Sequence, residues 1–173
     1  MVHRDLSLSN KITLSYGGVS KSDLLENLQS FGVMLNDFAR ILFSSDLFKT
    51  SAQPGTIQII SLSVDELGFA EGATMPEIKD RIKILGLTEC PLEAAPYLRL
   101  ILSDQEEITD DLKRKNQNPL GSVTIFSEPL IDDDDFPKGF YLKKTDGKLW
   151  LRGYTCSMDY VWKPDDKMIF KTG

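Results

Sequence analysis

Between residues 11 and 17 apolar and polar side chains alternate, with Ile12, Leu14 and Tyr16 on one face and Gly17-Gly18 closing the run. That period predicts a short strand. From Ser20 the period lengthens, and Leu24, Leu25, Leu28 and Phe31 recur at helical spacing. Ser20 is placed to accept from an unpaired amide of the first turn, Asp23 suits the positive helix end, and Gly32 offers the left-handed stop. Asn36 is placed to cap a second helix with Phe38, Ile41 and Leu42 on its inner side, so 20–47 reads as a helical hairpin. After a loop-like stretch at 44–55, the β-branched run at 56–64 predicts an interior strand buried on both faces. Thr74-Met75-Pro76-Glu77 is a capping box with proline in the first turn. The helix it opens has Ile78, Ile82 and Leu85 inside, Glu77 and Arg81 as an outer pair, and Gly86 as its stop.

From Tyr97 onward period two dominates. Leu98, Leu100 and Leu102 alternate with Arg99, Ile101 and Ser103, followed by Val123, Ile125 and Phe126, and then Phe140 and Leu142. Asp146-Gly147 marks a tight hairpin turn, and a last strand at 168–170 follows Pro164-Asp165-Asp166. Residues 104–118 read as a polar surface excursion, and Asp132 to Asp135 as an extended, solvated run. The expectation is one α+β domain over 11–173, helix-rich at 11–96 and strand-rich at 97–173, preceded by an extension at 1–10. Its antiparallel sheet, of about four or five strands in the C-terminal half, would carry the N-terminal helices on one side.

With 173 residues the chain can bury roughly two-thirds of its extended surface. A hydrophobic share of 41% and a charged share of 27% argue against disorder and fibres. The net charge of −6 argues against nucleic acid, because phosphate affinity comes from clustered Lys and Arg. A helix-turn-helix at 20–47 would need basic groups on its second helix, where Arg40 stands nearly alone. No apolar run approaches the ~20 residues that cross a bilayer. Residues 1–5 lack the pattern of a secretory signal, so a cytoplasmic protein without membrane contact is expected. Cys90 and Cys156 then read as free thiols. One histidine with two isolated cysteines cannot build a zinc cage, which leaves carboxylate-bound Mg²⁺ or Ca²⁺ as the open metal chemistry and no cofactor expected.

His3-Arg4-Asp5 to Asn10 matches a kinase catalytic loop, but only two residues precede it and no Asp-Phe-Gly follows, so it reads as tail. Cys90 lacks a nearby histidine base and reads as structural. Glu93 and Glu128 lie beside prolines and apolar segments, where a carboxylate can be partly buried; the plainer reading is a cap or a salt bridge with Arg99 or Arg152. Trp150, Tyr154, Tyr160 and Trp162, with Arg152 among them, are either core or a binding surface.

Val64-Asp-Glu-Leu-Gly-Phe69, Gly72-Ala-Thr74, Gly86-Leu87, Cys90-Pro91-Leu-Glu93 and Tyr97-Leu-Arg99-Leu form a pattern that continues through Asp104-Gln105, Glu128-Pro129-Leu130, Leu149-Trp150-Leu151 and Trp162 to Asp166. It resembles a recurring pattern in uncharacterised bacterial proteins of this size, over about two-thirds of the chain. The resemblance implies a bacterial cytosolic protein and no particular activity. With no catalytic residue and no metal ligand assigned, the leading expectation is a non-catalytic binding or inhibitor-type module. It would hold an unidentified protein or small molecule around Glu93, Arg99, Gln105, Glu128, Trp150 and Arg152. The alternatives are a small hydrolase using buried Glu93 and Glu128 with Arg99 as clamp, and a DNA-associated regulator using the 20–47 hairpin. Oligomeric state is left open.

Overall fold

Local chemistry starts and stops the elements of the computed structural model, which describes residues 11–107 and 118–173. In chain order they are β1 (Ile12–Tyr16), α1 (Lys21–Ser30), β2 (Met34–Leu35), α2 (Asp37–Ser44), β3 (Gly55–Ser63), α3 (Met75–Ile84), β4 (Leu87–Thr88), α4 (Ala94–Ile101), β5 (Val123–Ile125), β6 (Gly139–Thr145), β7 (Lys148–Tyr154) and β8 (Lys167–Thr172). The Ser20 hydroxyl accepts from the Asp23 amide at 3.1 Å, and Gly32 follows α1 at φ 73°. Thr74 and Glu77 close the capping box in both directions. Asp146 (φ 52°) and Gly147 (φ 72°) turn β6 into β7, as the positive-φ requirement of a two-residue hairpin predicts. The expected tail at 1–10, its kinase-like pattern, and most of the 104–118 excursion lie outside the described residues.

Among the described residues the sheet has eight strands in the order β1-β3-β8-β5-β6-β7-β2, with β4 beside one end of β8. It is mixed, which corrects the antiparallel expectation: β5 runs parallel to β8, and β2 parallel to β7. Nor is it confined to the second half of the chain. β1 and β2 form its two ends, and β8, last in sequence, sits between β3 and β5.

A second correction concerns 97–101, which are helical. Ala94, Ala95, Leu98 and Leu102 share the buried side of α4 and its C-terminal cap, a spacing of three to four that outweighs the chance alternation of leucines at 98, 100 and 102. Third, the helices do not all lie on one side. Leu24, Leu28, Leu42, Phe43, Ala95 and Leu98 of α1, α2 and α4 share a core with Ile57, Ile59, Phe140, Leu142, Leu151 and Ile169 of the sheet. Ile78 and Ile82 of α3 share the other core with Phe126, Tyr141, Tyr154, Met168 and Phe170. Adjacent strand residues point to opposite faces, so β6 and β8 feed both cores. Phe43, Phe48 and Phe140, with centroids 5.3 to 6.0 Å apart, pin the loop after α2 to β6.

Candidate functional site

Arg99 and Gln105, expected at a binding surface, lie inside the protein. Arg99, fully buried in α4, donates from Nη1 to Gln105 Oε1 (2.7 Å) and the Trp150 carbonyl (3.2 Å), and from Nη2 to the Leu102 carbonyl of its own helix end. Gln105 Nε2 continues the chain of bonds to the carbonyls of Gly121 (2.9 Å) and Leu142 (2.8 Å). Burial lowers the guanidinium pKa to about 10. The pair braces α4 against β6 and β7, a structural duty that places neither group before a ligand.

Glu93 is also buried, and its carboxylate accepts from the Ser51 amide at 3.0 and 3.1 Å and from the Ser51 hydroxyl, tying the loop before β3 to the start of α4. Glu128 is exposed, on the α3 side with Met75 and Phe126, where it takes Lys79 Nζ at 2.8 and 3.1 Å. The hydrolase arrangement is therefore corrected on two counts: Glu128 is not a buried carboxylate, and Glu93 belongs to the opposite side of the sheet, beside Ala94 and Ala95.

Trp150 and Arg152 do come together. They are two apart on β7, hence on one face, and the guanidinium carbon stands 4.5 Å from the indole centroid. Met34 of β2 is the register partner of Trp150, and Tyr141 of β6 that of Arg152.

Tyr141 leads from this pair into a cleft of about 420 Å³ beside α2, within the range that holds a small ligand or a side chain. Its seating depends on Asn36. The Asn36 side-chain amide extends the two-residue ladder of β2, donating to the Gly153 carbonyl at 3.0 Å and accepting from the Gly153 amide at 2.8 Å, while the same Oδ1 caps α2 through the Ala39 amide at 2.9 Å. Gly153 has no side chain because α2 lies on it: a Cβ there would fall 2.7 Å from Phe38 C and 2.8 Å from Ala39 N. This contact holds Phe38, about 38% exposed, at the edge of the cleft.

In the aromatic wall Tyr141 meets Tyr154 at a tilt (6.4 Å), and Trp162 meets Tyr154 (5.6 Å) and Tyr160 (5.3 Å) edge-on. Tyr154 and Trp162 are core residues whose Oη and Nε1 meet no acceptor among the described residues. Burial pushes the Tyr154 phenol well above its ordinary pKa and the Cys156 thiol to about 11. Cys156 rests on Met75, Sγ to Sδ 3.4 Å. At neutral pH the cleft therefore offers π-faces, a protonated thiol and amide groups. No carboxylate or histidine is among the described residues that line it.

Sequence reasoning found Tyr154, Tyr160 and Trp162 as a cluster but missed that Asn36 and Phe38 join them, since the only local signal, the helix cap at Asn36, says nothing of Gly153. Among the described residues no group of three His, Cys, Asp or Glu could hold a metal ion, and no helix is long and apolar enough to cross a membrane. Set against protein-family models, curated proteins and solved structures, the chain matches none.

Proposed function

We propose that this chain is a non-catalytic binding protein, of the inhibitor type, whose cleft beside α2 receives an apolar or aromatic side chain of a partner protein. One observation carries the reading: a cleft of about 420 Å³ walled by Tyr141, Tyr154, Tyr160 and Trp162 lies beside exposed Phe38 and the Arg152-covered Trp150. Tryptophan, tyrosine and arginine around a recess are the residues that dominate binding energy in interfaces. The Asn36 bonds and the close packing of α2 on Gly153 fix the cleft's edge in place, which lowers the ordering cost of association. The same reading puts the protein in the bacterial cytoplasm, on the strength of its resemblance and its two unbridged cysteines.

The test is capture from native lysate by wild type, Phe38→Ser, Trp150→Ala and, as control, Ile84→Ser at an exposed position of α3. A partner retained by wild type and the control but lost by the other two supports the reading. Equal capture by all four, or none by wild type, rejects it.

A further inference from the structure

We propose that a second pocket, on the α3 side of the sheet, receives an arginine side chain of that partner; the inference rests on the binding-protein reading above and gives the partner a chemistry. The pocket is about 330 Å³ in volume. Met75, Phe126, Pro129 and Met158 supply apolar walls, and Lys79, Glu89 and Glu128 supply charge at its rim.

The charges do not balance. Glu89, Glu128 and Asp132 line the pocket against the single ammonium of Lys79. That ammonium leans to Glu128, at 2.8 and 3.1 Å, and keeps a longer ion pair to Glu89 Oε1 at 3.7 Å. Glu89 Oε1 is shielded from water and accepts no hydrogen bond. Glu89, its side chain 23% exposed, therefore holds Lys79 only at the longer ion-pair distance, and an incoming cation meets a carboxylate that this shared ammonium neutralises in part. The Lys79–Glu128 pair does not bar entry, because its side chains are 40% and 65% exposed and their attraction is screened.

Guanidinium fits these facts better than ammonium. Its planar fork of donors can serve the Glu89 and Glu128 carboxylates together, and its methylene stem matches the methionine and proline walls. The neighbouring Asp133 to Asp135 and the net charge of −6 attract a basic partner. The two recesses are also neighbours: Cys156 lines the cleft, Met158 lines the pocket, and Cys156 Sγ touches Met75 of the pocket wall. One partner surface can therefore fill both.

The test follows amide chemical shifts of the ¹⁵N-labelled chain during titration with acetyl-Gly-Gly-Arg-Gly-Gly-amide, with citrulline and lysine versions as comparisons. Saturable shifts at Ser127, Glu128 and Met158 are expected, with the other two peptides about tenfold weaker, the scale of one charge-assisted hydrogen bond. Glu89→Gln and Glu128→Gln each weaken the arginine peptide by about the same factor, and Asp132→Asn, on the rim, by less. Equal binding of the citrulline or lysine peptide overturns the proposal. So do shifts confined to the acidic run that Glu89→Gln leaves unchanged, the mark of plain surface attraction. Shifts of these amides with protein concentration alone would make a second copy the occupant and also overturn it. Phe38→Ser separates the two readings: it leaves this titration unchanged while abolishing partner capture. Failure of the titration with capture still sensitive to Phe38→Ser removes only the arginine site, and the converse removes only the cleft.

Discussion

Arg99 is a cation buried among carbonyls and an amide oxygen, with no carboxylate in ion-pair reach among the described residues. Removing it leaves Gln105 Oε1 and two carbonyls short of donors, so Arg99→Ala is expected to cost about 3 kcal/mol, seen as a lower urea midpoint. Arg99→Lys does not restore it, since one ammonium cannot span the same acceptors. The thiols make a second prediction. Cys90, buried, is pushed up to about 12 and Cys156 to about 11. A thiol reagent at pH 8 should label Cys156 slowly and Cys90 only in denaturant, with Cys156 labelling still accelerating above pH 9. The folded thiols hold protons that the unfolded chain, with ordinary thiols near 9.0, releases. Their contribution is therefore intact below pH 9 and lost as pH rises toward 11 and 12, which urea titrations across that window would record as falling stability.

Among the elements, α2 and β7 illustrate how a single backbone contact shapes a site. The Asn36 amide and the bare Gly153 Cα work on the same junction, one by bonding and one by leaving room. Gly153→Ala should push the first turn of α2 off the sheet at a cost of about 2 kcal/mol, and Asn36→Ala about as much through the lost cap and ladder bonds. Because they share a junction, the double variant is expected to lose less than the sum, measurable by a double-mutant cycle in chemical denaturation. The helix α4 shows the opposite case, an element whose pattern is legible only in context. Its alternating leucines match a strand until Ala94 and Ala95, both buried, are counted with Leu98 and Leu102.

For the whole molecule the decisive fact is that the last strand is interior. β8 pairs with β3, β4 and β5, and supplies Ile169 to one core and Met168 and Phe170 to the other. A chain ending at Asp166 should therefore lack cooperative unfolding by circular dichroism, since neither core closes without β8. In the intact protein, amide exchange should be slowest in β3, β5, β6 and β8 and faster in β1 and β2, the two ends of the sheet. The helix-rich first half is likewise expected not to fold by itself, because its inner faces meet strands from the second half.

What the sequence determined on its own is local. The caps at Ser20, Asn36 and Thr74 and the turn at Asp146-Gly147 depend on neighbours a few positions away, and each stands where the pattern places it. The run at 56–64 is an inner strand as expected, but Thr56 and Gln58 are exposed, so it is not buried on both faces. Tertiary structure decided the rest. It set which strand lies beside which, turned Arg99 and Gln105 inward, parted Glu93 from Glu128, and brought Asn36 and Phe38 to the aromatic cluster. The reason is physical: hydrogen-bond caps and side-chain periods act over one or two turns, whereas a sheet unites segments more than a hundred positions apart, such as Asn36 with Gly153, through contacts that exist only once both cores have formed.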